Sequence, residues 1–502
     1  MAGKQQLQHP PHIVLFPFMA QGHLIPFLSL AKLVHQRHPG RYTVTLVSTP
    51  LNIRNLRKSL PHDSPILLRD LPFSGVDYGL PFGSENTDSL DYHDIVKLFQ
   101  ASEALKPHLE HLLSDITQRE GRPPQCIVGD MFTGWTAVVA KKFGVFHATF
   151  STCGGFGTAV YFAMWLHLPH LHTDDEEFAV PGLPENIRLH RSQLARNIRD
   201  TDGNDAWAAF LQKQISLNLQ GASGMLCNSV EEVETTGMKL LRKVTALPVW
   251  AIGPILPKDG KSSDSRTGKK AEMSLATFVE WLDRQSPASV LYVSFGSQNT
   301  IGAHQMLQLA AGLEASERPF IWVIRPPLRF DLNGDFRIEW LPEGFEDRMR
   351  ESGKGLLVRN WAPQLEILAH VSTGAFLSHC GWNSVLESLS SGVPLIGWPM
   401  AGEQFYNSKM LEEELGVAVE LERGPDADVT ERMVGRVVKQ VMRSEKGEDM
   451  RRRAARCSEM IRAAVCDGEK QKGASMAALD SFLEIASRAP ARGDLKTSVQ
   501  EL

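Results

Sequence analysis

The sequence predicts an α/β protein built as two doubly wound parallel-sheet domains in tandem, with a ligand cleft between them. Three observations carry this. Short, continuously apolar, β-branched runs alternate with helical patterns along most of the chain, which is how a parallel sheet covered on both faces reads. The alternation breaks at PKDGKSSDSRTGKKAE (257–272), a polar stretch without apolar periodicity that has the composition of a linker. The chain has 502 residues, more than one hydrophobic core usually serves.

The elements follow in order. HIVLFPF (12–18) is a buried strand and LIPFLSLAKLVHQRH (24–38) an amphipathic helix. YTVTLVST (42–49), QCIVGD (125–130) and HATFST (147–152) are strands, with a helical region over 91–117 and a helix in GWTAVVAKKFG that Gly144 ends. GMLCNS (224–229), a helix through EEVETTGMKLLRKV, and VWAIGP (249–254) complete the first half. The alternation restarts at VLYVSFG (290–296), followed by a helix through HQMLQLAAGLEAS. FIWVIR, GLLVRN, GAFLSHC, VPLIGWP and GVAVEL are further strands, and helices fill about 430–487. The expected layout is an N-terminal domain over 1–255, a linker over 256–275, a C-terminal domain over 276–487 whose last helices pack back on the first domain, and a polar tail over 488–502.

Composition excludes several function classes. An apolar content of 42% is that of a globular protein. A net charge of −5 and a pI near 6.4 lack the basic excess of a nucleic-acid or anionic-membrane binder. The six cysteines show no CxxC and no regular spacing, so neither a disulfide framework nor a zinc site is expected, and buried thiols in a reducing compartment are. The polar start MAGKQQLQHPP lacks the apolar run of a signal peptide, so none is expected. No run reaches the ~18 apolar residues that span a bilayer; the longest candidate, 13–34, is broken by QGH. A cytoplasmic monomer without a membrane anchor is expected.

The chemistry-bearing stretch is FLSHCGWNSVLES (376–388). It reads as strand, tight turn, helix. Gly381 permits the turn, and Asn383 and Ser384 fall at the helix start, where free N–H groups and the macrodipole favour an anion. His379 ends the strand and can donate to the same anion. Glu387, one turn beyond Asn383 on the same face, can accept from a vicinal diol such as that of a ribose. Phosphate donors beside a diol acceptor describe a nucleotide diphosphate site. A plainer reading of Asn383 and Ser384 alone is helix capping, which leaves Glu387 unexplained. The dinucleotide motif GxGxxG is absent after the first strand, and so is GxxxxGK[ST]. In SFGS (294–297), a second Gly turn, Ser297 is a further phosphate donor.

From Trp361 to Gln404 the chain reads WAPQLEILAHVSTGAFLSHCGWNSVLESLSSGVPLIGWPMAGEQ. This resembles the complete 44-residue signature of plant UDP-sugar-dependent glycosyltransferases acting on small molecules. The resemblance implies the GT-B architecture of two facing Rossmann-like domains. It implies that Trp361 stacks on uracil, that the Ala362 backbone binds its edge, and that Gln364 and Glu387 hold the ribose. His379, Asn383, Ser384 and Ser297 would hold the diphosphate, and Trp382, Glu403 and Gln404 the sugar hydroxyls. The closing Gln goes with glucose in this family, and Glu403 stands where many relatives carry Asp.

Glycosyl transfer needs a base for the acceptor and a sink for the leaving diphosphate. In FPFMAQGHLIPF, His23 follows the Gly22 turn at the start of a helix, where the positive helix end disfavours imidazolium and should keep the ring neutral. CIVGDMF ends another strand with Asp130. In the order 3-2-1-4-5 the first and fourth strands are neighbours, so the two residues should meet at the switch point, with Asp130 orienting the ring. The resemblance assigns the same pair as catalytic. It implies direct displacement with inversion, an α-linked donor such as UDP-glucose giving a β-glycoside on a hydroxyl or carboxyl, with no metal and no further cofactor. The remaining histidines, including His9, His12, His35, His38 and HLPHLH (167–172), read as surface or loop residues, and nothing near that cluster completes a metal site. Phe18, Met19, Phe132, Phe156, Tyr161, Trp165 and Trp207 are candidate walls for a hydrophobic acceptor such as a flavonoid, another phenolic or a terpenoid, or else core residues. Rival readings on the same fold are a sugar-nucleotide epimerase and a non-catalytic nucleotide-sugar binder.

Overall fold

The computed structural model describes residues 9–256, 273–331, 334–468 and 472–488. The stretch 257–272 read as a linker, and the tail after 488, lie outside the described residues.

The first half forms one parallel sheet. Its strands are β1 (His12–Phe16), β2 (Thr43–Ser48), β3 (Leu67–Asp70), β4 (Cys126–Asp130), β5 (Phe146–Ser151), β8 (Gly224–Cys227) and β9 (Val249–Ala251), in the order β3-β2-β1-β4-β5-β8-β9. A small antiparallel pair, β6 (Glu177–Ala179) with β7 (Arg188–His190), lies apart from it. The second half forms a six-stranded parallel sheet from β10 (Val290–Ser294), β11 (Phe320–Ile324), β12 (Gly355–Arg359), β13 (Thr373–Ser378), β14 (Leu395–Gly397) and β15 (Ala418–Glu420), in the order β12-β11-β10-β13-β14-β15. Every residue of β1, β4, β5, β10 and β13 is buried, as expected of central strands covered by helices on both faces. In each sheet the order reverses beside the first strand, which opens a crevice at the carboxyl ends where ligands bind.

Elements that carry no period were not legible in the sequence. β3 reads LLRD and is half exposed, so its charged residues break the apolar run. The helix Gly155–His167 buries its first eleven residues; a helix buried all round has no amphipathic stripe, and its two glycines resemble a loop. The helix Ala206–Gly221 was missed for a related reason: its apolar residues do not form a clear stripe.

Three histidines expected at the surface or in loops are engaged by the fold. His12 opens β1, is 2% exposed, and bonds Glu120 at 2.9 Å and Thr45 at 2.7 Å. His170 is buried, and His38 bonds Asp480 at 3.0 Å. The partners of His12 and His38 are 33 to 442 residues away in sequence, a separation no local pattern shows.

The last helix, Ala474–Arg488, belongs spatially to the N-terminal sheet. Met476, Leu479, Phe482 and Leu483 join the core around Ile13 and Leu15, and Phe482 lies 5.5 Å from the Trp250 ring. Asp480 anchors it: burial raises its carboxyl, but hydrogen bonds from Arg37, Lys472 and His38 outweigh burial and hold it well below the usual carboxylate range. A depressed carboxyl stabilises the fold above its unfolded pKa of ~3.9 and loses that contribution as pH falls. Asp480→Asn is therefore expected to destabilise the protein at neutral pH by about 1–2 kcal/mol. Thermal unfolding of both forms should converge as the pH is lowered through the carboxylate range; a pH-independent difference would remove the electrostatic explanation.

Candidate active site

The carboxyl ends of both sheets face a cleft of about 320 Å³ lined from both domains. On the N-terminal side, β1 ends at Phe16 and pairs with β4, Phe16 opposite Gly129. That register brings the following segments together. His23 sits in the first turn of the helix Gln21–Arg37, and its Nδ1 lies 2.8 Å from Oδ2 of Asp130. Asp130 is fully buried, and its Oδ1 accepts the Phe132 N–H at 3.0 Å. Nδ1 then carries the proton that faces Asp130, leaving Nε2 as the basic nitrogen. Thr152 Oγ1 approaches the same Nδ1 at 3.3 Å. Burial lowers the His23 pKa, yet the charge and hydrogen bond of Asp130, aided by Glu403, outweigh it and raise it above the ordinary value. This corrects the expectation drawn from the helix end alone: a carboxylate in contact outweighs a diffuse dipole.

On the C-terminal side, β10 runs into a turn in which Gly296 has φ +76°. A Cβ there would sit 2.7 Å from Cε1 of His379, so only glycine lets the two turns nest. β13 runs into His379, then Cys380 at φ +60°, then the helix Trp382–Ser390. Burial pushes the His379 imidazole down to about 4, so it is neutral in the neutral range and offers a hydrogen bond rather than a charge. Asn383 reaches across the cleft, donating to the Gly22 carbonyl at 3.1 Å beside His23. Gln364 and Glu387 form one unit: Gln364 Nε2 donates to Glu387 Oε2 at 2.6 Å and to Ser384 Oγ at 3.0 Å, while Tyr292 donates to Gln364 Oε1 at 3.2 Å. Trp361, Ala362 and Ser297 line the same cleft. Gln404 Oε1 accepts the N–H groups of Met400 and Ala401, each at 3.0 Å, so its NH₂ is the group left to bind a ligand. Glu403 also lines the cleft, and burial raises its carboxyl.

Trp382 also lines the cleft. Its indole N–H donates to the Asn228 carbonyl of the other domain at 2.6 Å, and the residue is 2% exposed. An indole has a single donor, and here it ties the two domains together.

The candidate acceptor walls divide. Phe132 lines the cleft and lies 5.3 Å from the His23 ring. Phe18, at 5.8 Å from His23, and Tyr161, at 6.1 Å from Phe132, continue an aromatic chain into the N-terminal domain. Trp207 joins it through Phe99. Trp165 is fully buried behind Tyr161, and Phe156 and Met19 are core residues in different clusters. Those three take the core alternative left open for every candidate, and Phe18 and Tyr161, 1% and 7% exposed, belong to the same core cluster as Phe156 and Trp165.

Gly154 and Gly157 were not singled out in the sequence. The helix Gly155–His167 packs against the helix Gln404–Lys409 of the other domain. A Cβ on Gly154 would meet Trp382 at 2.9 Å, and one on Gly157 would collide with Asn407 Oδ1. Gly157→Ala is expected to lower transfer roughly ten- to a hundredfold by shifting Glu403 and Gln404 relative to His23. The loss should shrink in an Asn407→Ala background, where the collision is removed; equal losses in both backgrounds would exclude this contact as the cause. Arg325, at the end of FIWVIR, was also missed, although its place at a strand's carboxyl end is the signal that singled out His379.

Comparison with known proteins matches this architecture. The family described as "UDP-glucoronosyl and UDP-glucosyl transferase" matches residues 209–453. Crocetin glucosyltransferase 3 of Crocus sativus is 51% identical over 444 residues, 87% of this chain and 92% of that protein. UDP-glycosyltransferase 92A1 of Arabidopsis thaliana is 42% identical over 480 residues, 94% of this chain and 96% of its own. The crystal structure of Glycyrrhiza uralensis UGT73P12, complexed with glycyrrhetinic acid 3-O-monoglucuronide, superposes with a TM-score of 0.81 at 28% identity, covering 96% of each chain. With the sheet orders and the shared cleft, these matches establish the fold as GT-B, and the chain belongs to the plant UDP-glycosyltransferases, a family of glycosyltransferase enzymes.

Proposed function

We propose that this protein transfers glucose from UDP-glucose to a hydroxyl or carboxyl of a hydrophobic small molecule, with inversion. The observation that carries the reading is the His23–Asp130 pair opening on the cleft that also holds Gln364, Glu387, His379 and Gln404. In this reading His23 Nε2 takes the acceptor proton as the acceptor oxygen attacks the anomeric carbon, and Asp130 stabilises the imidazolium that forms. UDP leaves into donors at the Trp382–Ser390 helix start, Ser297 and neutral His379, so no metal is invoked. Trp361 stacks on the base, the Ala362 backbone binds its edge, and Gln364 with Glu387 takes the ribose. Glu403 and Gln404 read the sugar, the latter through its NH₂. Phe18, Phe132, Tyr161 and Trp207 provide an apolar, aromatic approach to His23 suited to a phenolic or terpenoid acceptor. The relative named for crocetin supports a small-molecule acceptor. The enzyme is proposed to act as a cytoplasmic monomer. Its six cysteines are all unpaired, which suits a reducing compartment, and no helix among the described residues is long and apolar enough to cross a membrane.

The test is incubation with several UDP-sugars and a panel of phenolic and terpenoid acceptors. A mass gain of one hexose, largest with UDP-glucose, is expected. UDP release that does not depend on any added acceptor, or conversion of the UDP-sugar itself, would instead favour an epimerase; UDP-sugar binding with no turnover would leave a binding protein.

A further inference from the structure

Arg325 follows β11 at its carboxyl end and is 9% exposed. Its Nη1 donates to the Gly296 carbonyl at 3.0 Å and to the Ser297 carbonyl. Among the described residues that line the cleft it is the one Lys or Arg. Two facts of chemistry follow. A guanidinium removed from water is costly unless opposite charge or strong acceptors surround it, and two peptide carbonyls carry only partial charge. The charge of Asp88, reaching across from the N-terminal domain, offsets only part of the burial that lowers the Arg325 pKa. In a planar trans peptide, C=O and N–H point in opposite directions. Holding the Gly296 and Ser297 carbonyls on the guanidinium therefore turns the Ser297 and Gln298 N–H groups away from it. Successive N–H groups presented by a turn form an anion-binding concavity.

We propose that Arg325 is a positioning residue for the donor diphosphate: it holds the Gly296–Ser297 turn with its N–H groups presented to the anion and places a full positive charge behind them. The inference rests on the UDP-sugar reading above. It also gives the cleft a cation, which neutral His379 does not provide, to balance the charge that builds on UDP as it leaves.

Titration of the full-length wild type, Arg325→Gln and Arg325→Lys with uridine and with UDP tests it. In Arg325→Gln, UDP affinity is expected to fall roughly ten- to a hundredfold while uridine affinity is unchanged. Arg325→Lys, which keeps the charge and loses the fork, should fall between it and the wild type. UDP binding by the wild type should weaken with added salt more steeply than binding by Arg325→Gln. Should Arg325→Gln not fold, the uridine-to-UDP comparison in Arg325→Lys carries the test. Unchanged UDP affinity in the variants, or equal losses for uridine and UDP, would overturn the role of Arg325. Failure of the wild type to bind UDP would instead overturn the donor reading itself.

Discussion

His23→Ala is expected to reduce sugar transfer roughly 10²–10⁴-fold, the usual contribution of a positioned base, while UDP binding stays at the wild-type level. The separation follows from geometry: His23 belongs to the N-terminal helix Gln21–Arg37 and its bonding partners are Asp130 and Thr152, whereas the residues proposed to hold the nucleotide lie on the other domain. Full activity in this variant would remove His23 as the base. The pH dependence gives an independent check. His23 works as a base only when unprotonated, and its pKa is raised above 6.5 despite burial, chiefly by Asp130. Activity should therefore fall as pH drops through a value above 6.5. Asp130→Asn removes the charge that favours imidazolium, so the acid limb of kcat/KM should move to lower pH while kcat drops. An acid limb that stays in place would mean that another group titrates there.

Glu387→Ala is expected to weaken UDP binding roughly ten- to a hundredfold, the loss of charge-assisted hydrogen bonds to a diol, with a smaller change in kcat at saturating donor. Glu387 lies one turn into the helix Trp382–Ser390 and accepts from Gln364 Nε2 at 2.6 Å, so the variant also removes one of the bonds of Gln364, which keeps those with Ser384 and Tyr292. The specific readout is discrimination by the sugar of the nucleotide. Wild type should prefer UDP over 2′-deoxy-UDP, and Glu387→Ala should lose that preference. An unchanged preference would exclude Glu387 from the ribose contact, whatever happens to overall affinity.

Legibility tracked periodicity and chain proximity. The central strands were readable because buried parallel strands are continuous apolar runs, and β1 beside β4 followed from the doubly wound order. β3 and the helix Gly155–His167 were not, because one is a charged edge and the other is apolar on every face. The candidate donor residues were legible because most of them fall in one continuous segment, from Trp361 to Gln404. Arg325 was not, since its contacts to Gly296 and Ser297 span 29 and 28 residues. The fate of the Trp382 indole was equally hidden, because its acceptor, Asn228, is 154 residues away.

By itself, then, the sequence determined the α/β class and the tandem of two parallel-sheet domains, and it singled out the candidates for donor and base chemistry, because strand periodicity, turn glycines and helix starts are local properties of the chain. Tertiary structure alone decided the direction of the His23 pKa, which aromatic residues approach it and which are core, and how Gly154 and Gly157 let the two domains close on Trp382 and Asn407. Those outcomes depend on which distant atoms share a low-dielectric, close-packed space, and no local pattern encodes that distance.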